Sequence, residues 1–243
     1  MRILAVLLAL LLFSASVYAQ ERLTIDLAKD RVDITTGFDG AELVLYGVKD
    51  KNVDVAVSIE GPLKTTVVRK KGQVFGAWMN TLSMTFENVP GFYAYALSKP
   101  ESSFKPNVLK AHNIGLNALF FEPADAPPQQ ENIKLFQEAM IRNKQTQQLF
   151  PLNAQPVIFL DDGFFKTSIY IPSNVPVGMY TVRTLLLDDA KVIQEKALKL
   201  KVAQVGMSAK VYEFATNQSL YYGVLCVFMA LFAGWLINFI RNR

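Results

Sequence analysis

Val53-Asp54-Val55-Ala56-Val57-Ser58-Ile59 alternates with a period of two, the repeat of a half-buried β-strand. Working outward, Ala41–Tyr46 reads as another strand, launched by the turn formers Thr36-Gly37-Phe38-Asp39-Gly40. Lys64–Lys70, Val74–Met79 and Leu82–Phe86 are further short runs, separated by Gly72-Gln73 and Asn80-Thr81. Strands at roughly 8–12-residue spacing with turns between them favour a sandwich over a helical or βαβ fold. The expected fold is mainly β: an Ig-like β-sandwich with a helical insert, then one C-terminal transmembrane helix.

The sandwich texture covers 20–105, and the period changes over 106–151. Asn107 is placed to cap a helix over Val108–Phe121, with Gly115 as the point where it can break. Beyond the extended Pro123–Pro128 connector, Ile133, Phe136, Met140 and Asn143 recur at helical spacing, with Glu138 one turn from Arg142. That stripe reads as core packing, and the helix should stop before Pro151. Strand texture returns over 152–205, completing or repeating the sandwich. Its runs are Val157–Leu160, Phe164–Ile171, Met179–Leu187 and Val192–Val202. Lys196, Lys199 and Lys201 mark the last as an edge protected against unwanted pairing.

One pattern occurs twice. Asn88-Val89-Pro90-Gly91-Phe92-Tyr93 and Asn174-Val175-Pro176-Val177-Gly178-Met179-Tyr180 share Asn-Val-Pro, a nearby Gly, then Tyr opening a strand. A Tyr beyond such a corner, its hydroxyl bonded back to the turn backbone, is a device of Ig-like sandwiches.

The two ends decide where the protein sits. Met1-Arg2, the apolar Ile3–Phe13 and Val17-Tyr18-Ala19 read as a secretory signal peptide over 1–19, cleaved before Gln20. Residues 206–219 read as a tether. Leu220–Ile240 is an uncharged span whose length suits a bilayer, with Tyr221, Tyr222 and Trp235 near its ends. Arg241 and Arg243 in the tail 241–243 keep the C-terminus cytoplasmic and everything before the span outside. The expected topology is single-pass, with the N-terminal domain outside and the C-terminus in the cytoplasm.

Charge and chemistry are uninformative by comparison. The chain carries 25 Lys+Arg; leaving out Arg2, Arg241 and Arg243 sets 22 against 21 Asp+Glu in the outer domain. Arg69-Lys70-Lys71 is its basic cluster and reads as a solvated strand end, not a nucleic-acid patch. Cys226 lies in the span, so the outer domain has no thiol for a disulfide, a zinc site or a nucleophile. His112, the single histidine, reads as a surface or helix-end residue. Asp161-Asp162 and Asp188-Asp189 read as turn residues rather than an acid/base pair. No catalytic, cofactor-binding or metal-binding residue is assigned, and no cofactor is expected.

Phe75 and Ala77 fall on one face of the Val74–Met79 run and Trp78 on the other; Trp78 is either core or a contact for a partner. Gly61-Pro62, the run from Arg69 to Asn80, Pro90–Ala94, Ile171–Tyr180, Tyr222-Gly223, Gly234-Trp235 and Arg241 together resemble a transmembrane protein family of alphaproteobacteria. The resemblance implies an inner-membrane protein with a periplasmic domain and brings no catalytic residues with it. The expected function is non-enzymatic: an anchored interaction or accessory protein of a transport or envelope complex. The expected partners are the lipid bilayer and a membrane or periplasmic protein. A tethered hydrolase with a carboxylate site is one competing reading, and the resemblance implies another, a subunit of a small-anion exporter.

Overall fold

The stretch that reads as half-buried is buried on both faces. The computed structural model describes residues 23–49, 53–124, 130–161, 163–188 and 191–241. In it, Val55 to Ile59 are at most 1% exposed. They belong to β4 (Asp54–Glu60), the central strand of a large sheet. The leader expected over 1–19, residues 125–128 of the connector, Asp162, Asp189 and the last two residues lie outside the described residues.

Nine strands form that sheet: β1 (Leu23–Leu27), β2 (Arg31–Ile34), β3 (Gly40–Lys49), β4, β7 (Tyr93–Leu97), β8 (Gln155–Phe159), β9 (Phe164–Pro172), β10 (Gly178–Asp188) and β11 (Lys191–Gln204). Their order is β1-β3-β9-β8-β7-β4-β10-β11-β2. Early and late strands interleave, since β9 pairs with β3 and β10 with β4. The sheet curls until β1 lies beside β11. Mainly β is therefore what the molecule is. The Ig-like detail is not borne out by this strand order, which is one continuous sheet with parallel pairings at β7–β8 and β11–β2.

Inside the curl, Val55, Val57, Ile59, Val182 and Leu186 meet Leu43, Leu45, Phe165 and Ile169 in one apolar core. The opposite face of β4 and β7 presents Tyr93 and Tyr95, and residues 101–115 close over it. Tyr95 Oη donates to Glu101 at 3.0 Å. Tyr93 Oη donates to the Asn113 carbonyl at 3.0 Å and accepts the Gly115 N–H at 2.9 Å. This cover turns an apparently amphipathic strand into a central one.

The first helix of the insert is shorter than the stretch read for it, and the second stops before Pro151 as expected. Helix α1 (Pro106–Ala111) starts on a proline at its first turn, where the missing N–H costs nothing, and His112 is its C-cap. The stretch Val108–Phe121 is interrupted close to Gly115, the break point read from sequence, because Asn113 and Gly115 take left-handed φ of 54° and 94°. Helix α2 (Gln130–Thr146) buries Phe136 and Met140, as their spacing requires, while Glu138 sits 4.0 Å from Lys134.

The two Asn-Val-Pro corners pack against each other. Gly91 lies under Pro176, where an added Cβ would come within 2.6 Å of the proline ring and 3.2 Å of the Pro62 carbonyl. The Phe92 and Tyr180 rings are 6.0 Å apart, and Gly61 N–H donates to Phe92 while Gly91 N–H donates to Pro62. Tyr180 Oη donates back to Pro176 at 2.6 Å, the corner bond expected from sequence. Tyr93, at the equivalent place, reaches forward to Asn113 instead. Gly91→Ala is expected to lower stability by about 1–3 kcal/mol through overpacking, read as a lower thermal midpoint.

Burial also sets a pH limit. It pushes the hydroxyls of Tyr93, Tyr95 and Tyr180 well above the ordinary tyrosine pKa, with the Glu101 carboxylate adding to the effect at Tyr95. A folded pKa raised above the unfolded value of about 10 leaves this stability intact below pH 10 and removes it as pH rises further. The urea midpoint is expected to fall between pH 9 and pH 11. The fall should be shallower in Tyr93→Phe, which at neutral pH loses about 1–3 kcal/mol for the two backbone groups left unpaired.

Past β11, the expected tether is helical: α3 (Met207–Asn217) leads through Gln218 into α4 (Ser219–Arg241). Phe214 and Tyr222 meet edge-on across the junction at 6.0 Å. The apolar window Ser219–Asn238 has none of its surface buried against the body.

Candidate functional site

Strands β5 (Leu63–Val74) and β6 (Ala77–Pro90) belong to no larger sheet. They extend the neighbouring strands β4 and β7 beyond the corner into a single long hairpin. Its base is held by the packed corners and by bonds from Glu87 N–H to Glu122 and from Ala124 N–H to Thr85. Val68, Met84 and Phe86 are its last buried side chains toward the tip. From Arg69 to Val74 the ribbon then runs about 20 Å, at ~3.3 Å per residue, into open space.

Three short runs were expected where this hairpin stands. The gaps at Gly72-Gln73 and Asn80-Thr81 are not turns: Gly72 pairs with Met79 and Lys71 with Asn80. A register shift at Lys70/Lys71 absorbs Thr81, whose hydroxyl donates to the Lys70 carbonyl at 3.2 Å. The turn is Phe75-Gly76, with φ of 50° and 83° between the paired Val74 and Ala77. Positive φ at both central residues is the two-residue hairpin geometry that normally calls for Asn-Gly.

Phe75 is therefore costly to the fold. A left-handed backbone disfavours any residue with a Cβ by roughly 1–2 kcal/mol, and at 106% exposure its ring packs on nothing. Trp78, read from sequence as core or contact, is 72% exposed. It pairs with Gln73 and shares its ribbon face with Lys71 and Arg69; Val74, Met79 and Leu82 are exposed on the other face. The ribbon between Gly61 and Phe86 contains no acidic residue and four basic ones, Lys64, Arg69, Lys70 and Lys71. As exposed contacts Phe75, Met79 and Leu82 escaped the sequence reading, which placed Phe75 only on a strand face. The signal that finds them is Phe-Gly between two alternating runs free of acids.

The remaining candidates converge less. Arg183 donates to Glu60 Oε1 at 2.7 Å and to the His112 carbonyl at 3.1 Å, and lies 3.7 Å from Glu195. His112 Nδ1 is 4.0 Å from the same Glu195. These groups satisfy one another where α1 meets the sheet, so His112 caps a helix and joins a structural network. Among the described residues no group of three His, Cys, Asp or Glu is placed to hold a metal. A cleft of about 370 Å³ between Leu116–Phe120 and α2 is apolar, and its two charged residues, Lys134 and Glu138, face each other.

The chain matches, over residues 22–243, the model of the family described as "Putative transmembrane protein (Alph_Pro_TM)", and it belongs to that family. With the unburied apolar helix α4, this makes it a membrane protein. No curated protein sequence matches it. A chain of the solved structure described as "Structural basis of T cell specificity and activation by the bacterial superantigen toxic shock syndrome toxin-1" is similar at 6% identity and a TM-score of 0.29, covering 75% of this chain and 99% of that one. At that score the likeness carries no argument.

Proposed function

We propose that this member of the alphaproteobacterial transmembrane family is a non-enzymatic, membrane-anchored interaction module, an accessory protein of a transport or envelope complex. Its body stands on the periplasmic side of the inner membrane, and the tail after α4 faces the cytoplasm. The supporting observation is the hairpin: an arm held rigidly at its base that spends Phe75, Trp78, Met79 and Leu82 on exposure. Exposed aromatic anchors on a stiff element are what recognition uses. The anchor raises the local concentration of the body near membrane-bound partners. The orientation is supported by Arg241 and by the leader pattern before Gln20.

The test removes the arm without touching the body. Replacing 70–82 by a two-residue turn should leave the thermal midpoint unchanged, and Phe75→Ser/Trp78→Ser should shift stability by less than about 0.5 kcal/mol, as for other exposed positions. Both variants should lose the species crosslinked to the full-length protein in intact cells. Equal crosslinking with and without the arm would remove this reading.

A further inference from the structure

We propose that the hairpin tip binds the surface of an anionic phospholipid bilayer, with Phe75 and Trp78 in the headgroup layer and Arg69, Lys70 and Lys71 against the phosphates. This rests on the reading of the hairpin as the contact element and names what it contacts.

The distribution of apolar groups favours lipid over a protein groove. A groove meets one face of a ribbon, and its ligand usually alternates accordingly. Here Val74, Met79 and Leu82 stand on one face, Trp78 on the other, and Phe75 at the end. Apolar side chains on both faces and at the end suit a medium that surrounds the tip, with Trp78 standing among the polar Gln73 and Asn80 on its own face. Trp in particular prefers the membrane interface, where its ring is half in an apolar setting and its N–H meets water or headgroups.

The charge pattern matches as well. With four cations and no acid from Gly61 to Phe86, the arm is complementary to anionic headgroups. Lys71 lies three residues above Val74 on its strand, about 10 Å up the ribbon. Its long stem lets the ammonium reach back to the phosphates while the tip sits at the acyl boundary. Arg69 and Lys70 follow within the next two residues and extend the same basic collar. Insertion stops in the headgroup layer, because the two outer edges of an isolated hairpin carry unpaired backbone groups that the hydrocarbon core does not tolerate. A bilayer is also the one occupant whose presence the chain guarantees, since α4 is built to cross one.

The experiment uses the full chain. Trp78 and Trp235 are its two tryptophans, so Trp235→Phe leaves Trp78 as the sole emitter. The protein is held by its anchor in neutral phosphatidylcholine nanodiscs. Vesicles of phosphatidylcholine containing phosphatidylglycerol are then added, and the same lipid is separately built into the discs. The expected result is a blue shift of Trp78 emission, quenching by brominated acyl chains, and co-flotation with the added vesicles. All three should weaken at high salt. Near an anionic surface each cation is worth roughly fivefold in affinity, so Arg69→Ser/Lys70→Ser/Lys71→Ser is expected to weaken vesicle binding by about 100-fold. Phe75→Ser should abolish the quenching.

Trp78 emission that ignores lipid composition, alongside hairpin-dependent crosslinking to a protein, would overturn the lipid proposal and leave the interaction module standing. If neither lipid nor crosslinking depends on the hairpin, both readings fall. Circular dichroism and the thermal midpoint of each variant establish that the body is folded throughout.

Discussion

Phe165→Ala is expected to destabilise the body by about 3–5 kcal/mol, a large part of a typical domain's 5–15 kcal/mol. Phe165 is fully buried where β9 crosses the inside of the curl. It pairs directly with Gly47 on β3, and its ring lies over that glycine, so an added Cβ there would come within 2.2 Å of the ring. The absence of a side chain at Gly47 is what lets the ring sink into the core, so its loss leaves a void against that glycine. Denaturant titration followed by near-ultraviolet circular dichroism should show a lower midpoint with an unchanged slope. Gly47→Leu should be at least as damaging, since it drives bulk into the same space. A midpoint unmoved by Phe165→Ala would mean that the two halves of the curl are not packed as described.

Phe228→Arg/Leu231→Arg is expected to release the protein from the membrane. Between Leu220 and Ile240 the span contains eleven Leu, Ile, Val and Phe. At about −0.3 to −0.6 kcal/mol each they favour insertion by several kcal/mol, and two arginines near the centre oppose it by roughly 5–7 kcal/mol. Carbonate extraction should move the variant from the pellet to the supernatant. The thermal midpoint of the body should not change, because none of that helix's apolar window is buried against it. Retention in the pellet would show that α4 is not what holds the protein in the membrane.

Periodicity was a good guide wherever a side chain's role is local. Phe136 and Met140 are core because helical spacing puts them on one face, and the lysines of β11 line a strand that β2 covers only from Lys201 onward. The Tyr180 corner was legible for the same reason, its bond closing over four residues. Tyr93 was not, since its partners Asn113 and Gly115 lie about twenty residues on and belong to a loop that folds back over the sheet. Ser58 misled likewise: a polar residue in an alternating run signals an exposed face only when nothing covers that face, and residues 101–115 do.

The hairpin is the sharpest case. Gly72-Gln73 and Asn80-Thr81 look like turns because Gly and Asn are turn formers, yet strand pairing runs straight through both. The bend falls at Phe75-Gly76, where propensity alone would not put an aromatic residue. Cross-strand register outweighed local preference, and its consequence is that Trp78 faces solvent rather than core.

Class and membrane association were written in local chemistry: strand texture and an uncharged apolar run of bilayer length are properties of consecutive residues. Which faces are buried, how nine strands close into one curled sheet, and that an aromatic, basic arm stands clear of it were settled by contacts between distant segments. Burial is a property of the pair, not of the residue. One linear pattern serves a covered strand and an open one alike until the chain folds back upon itself.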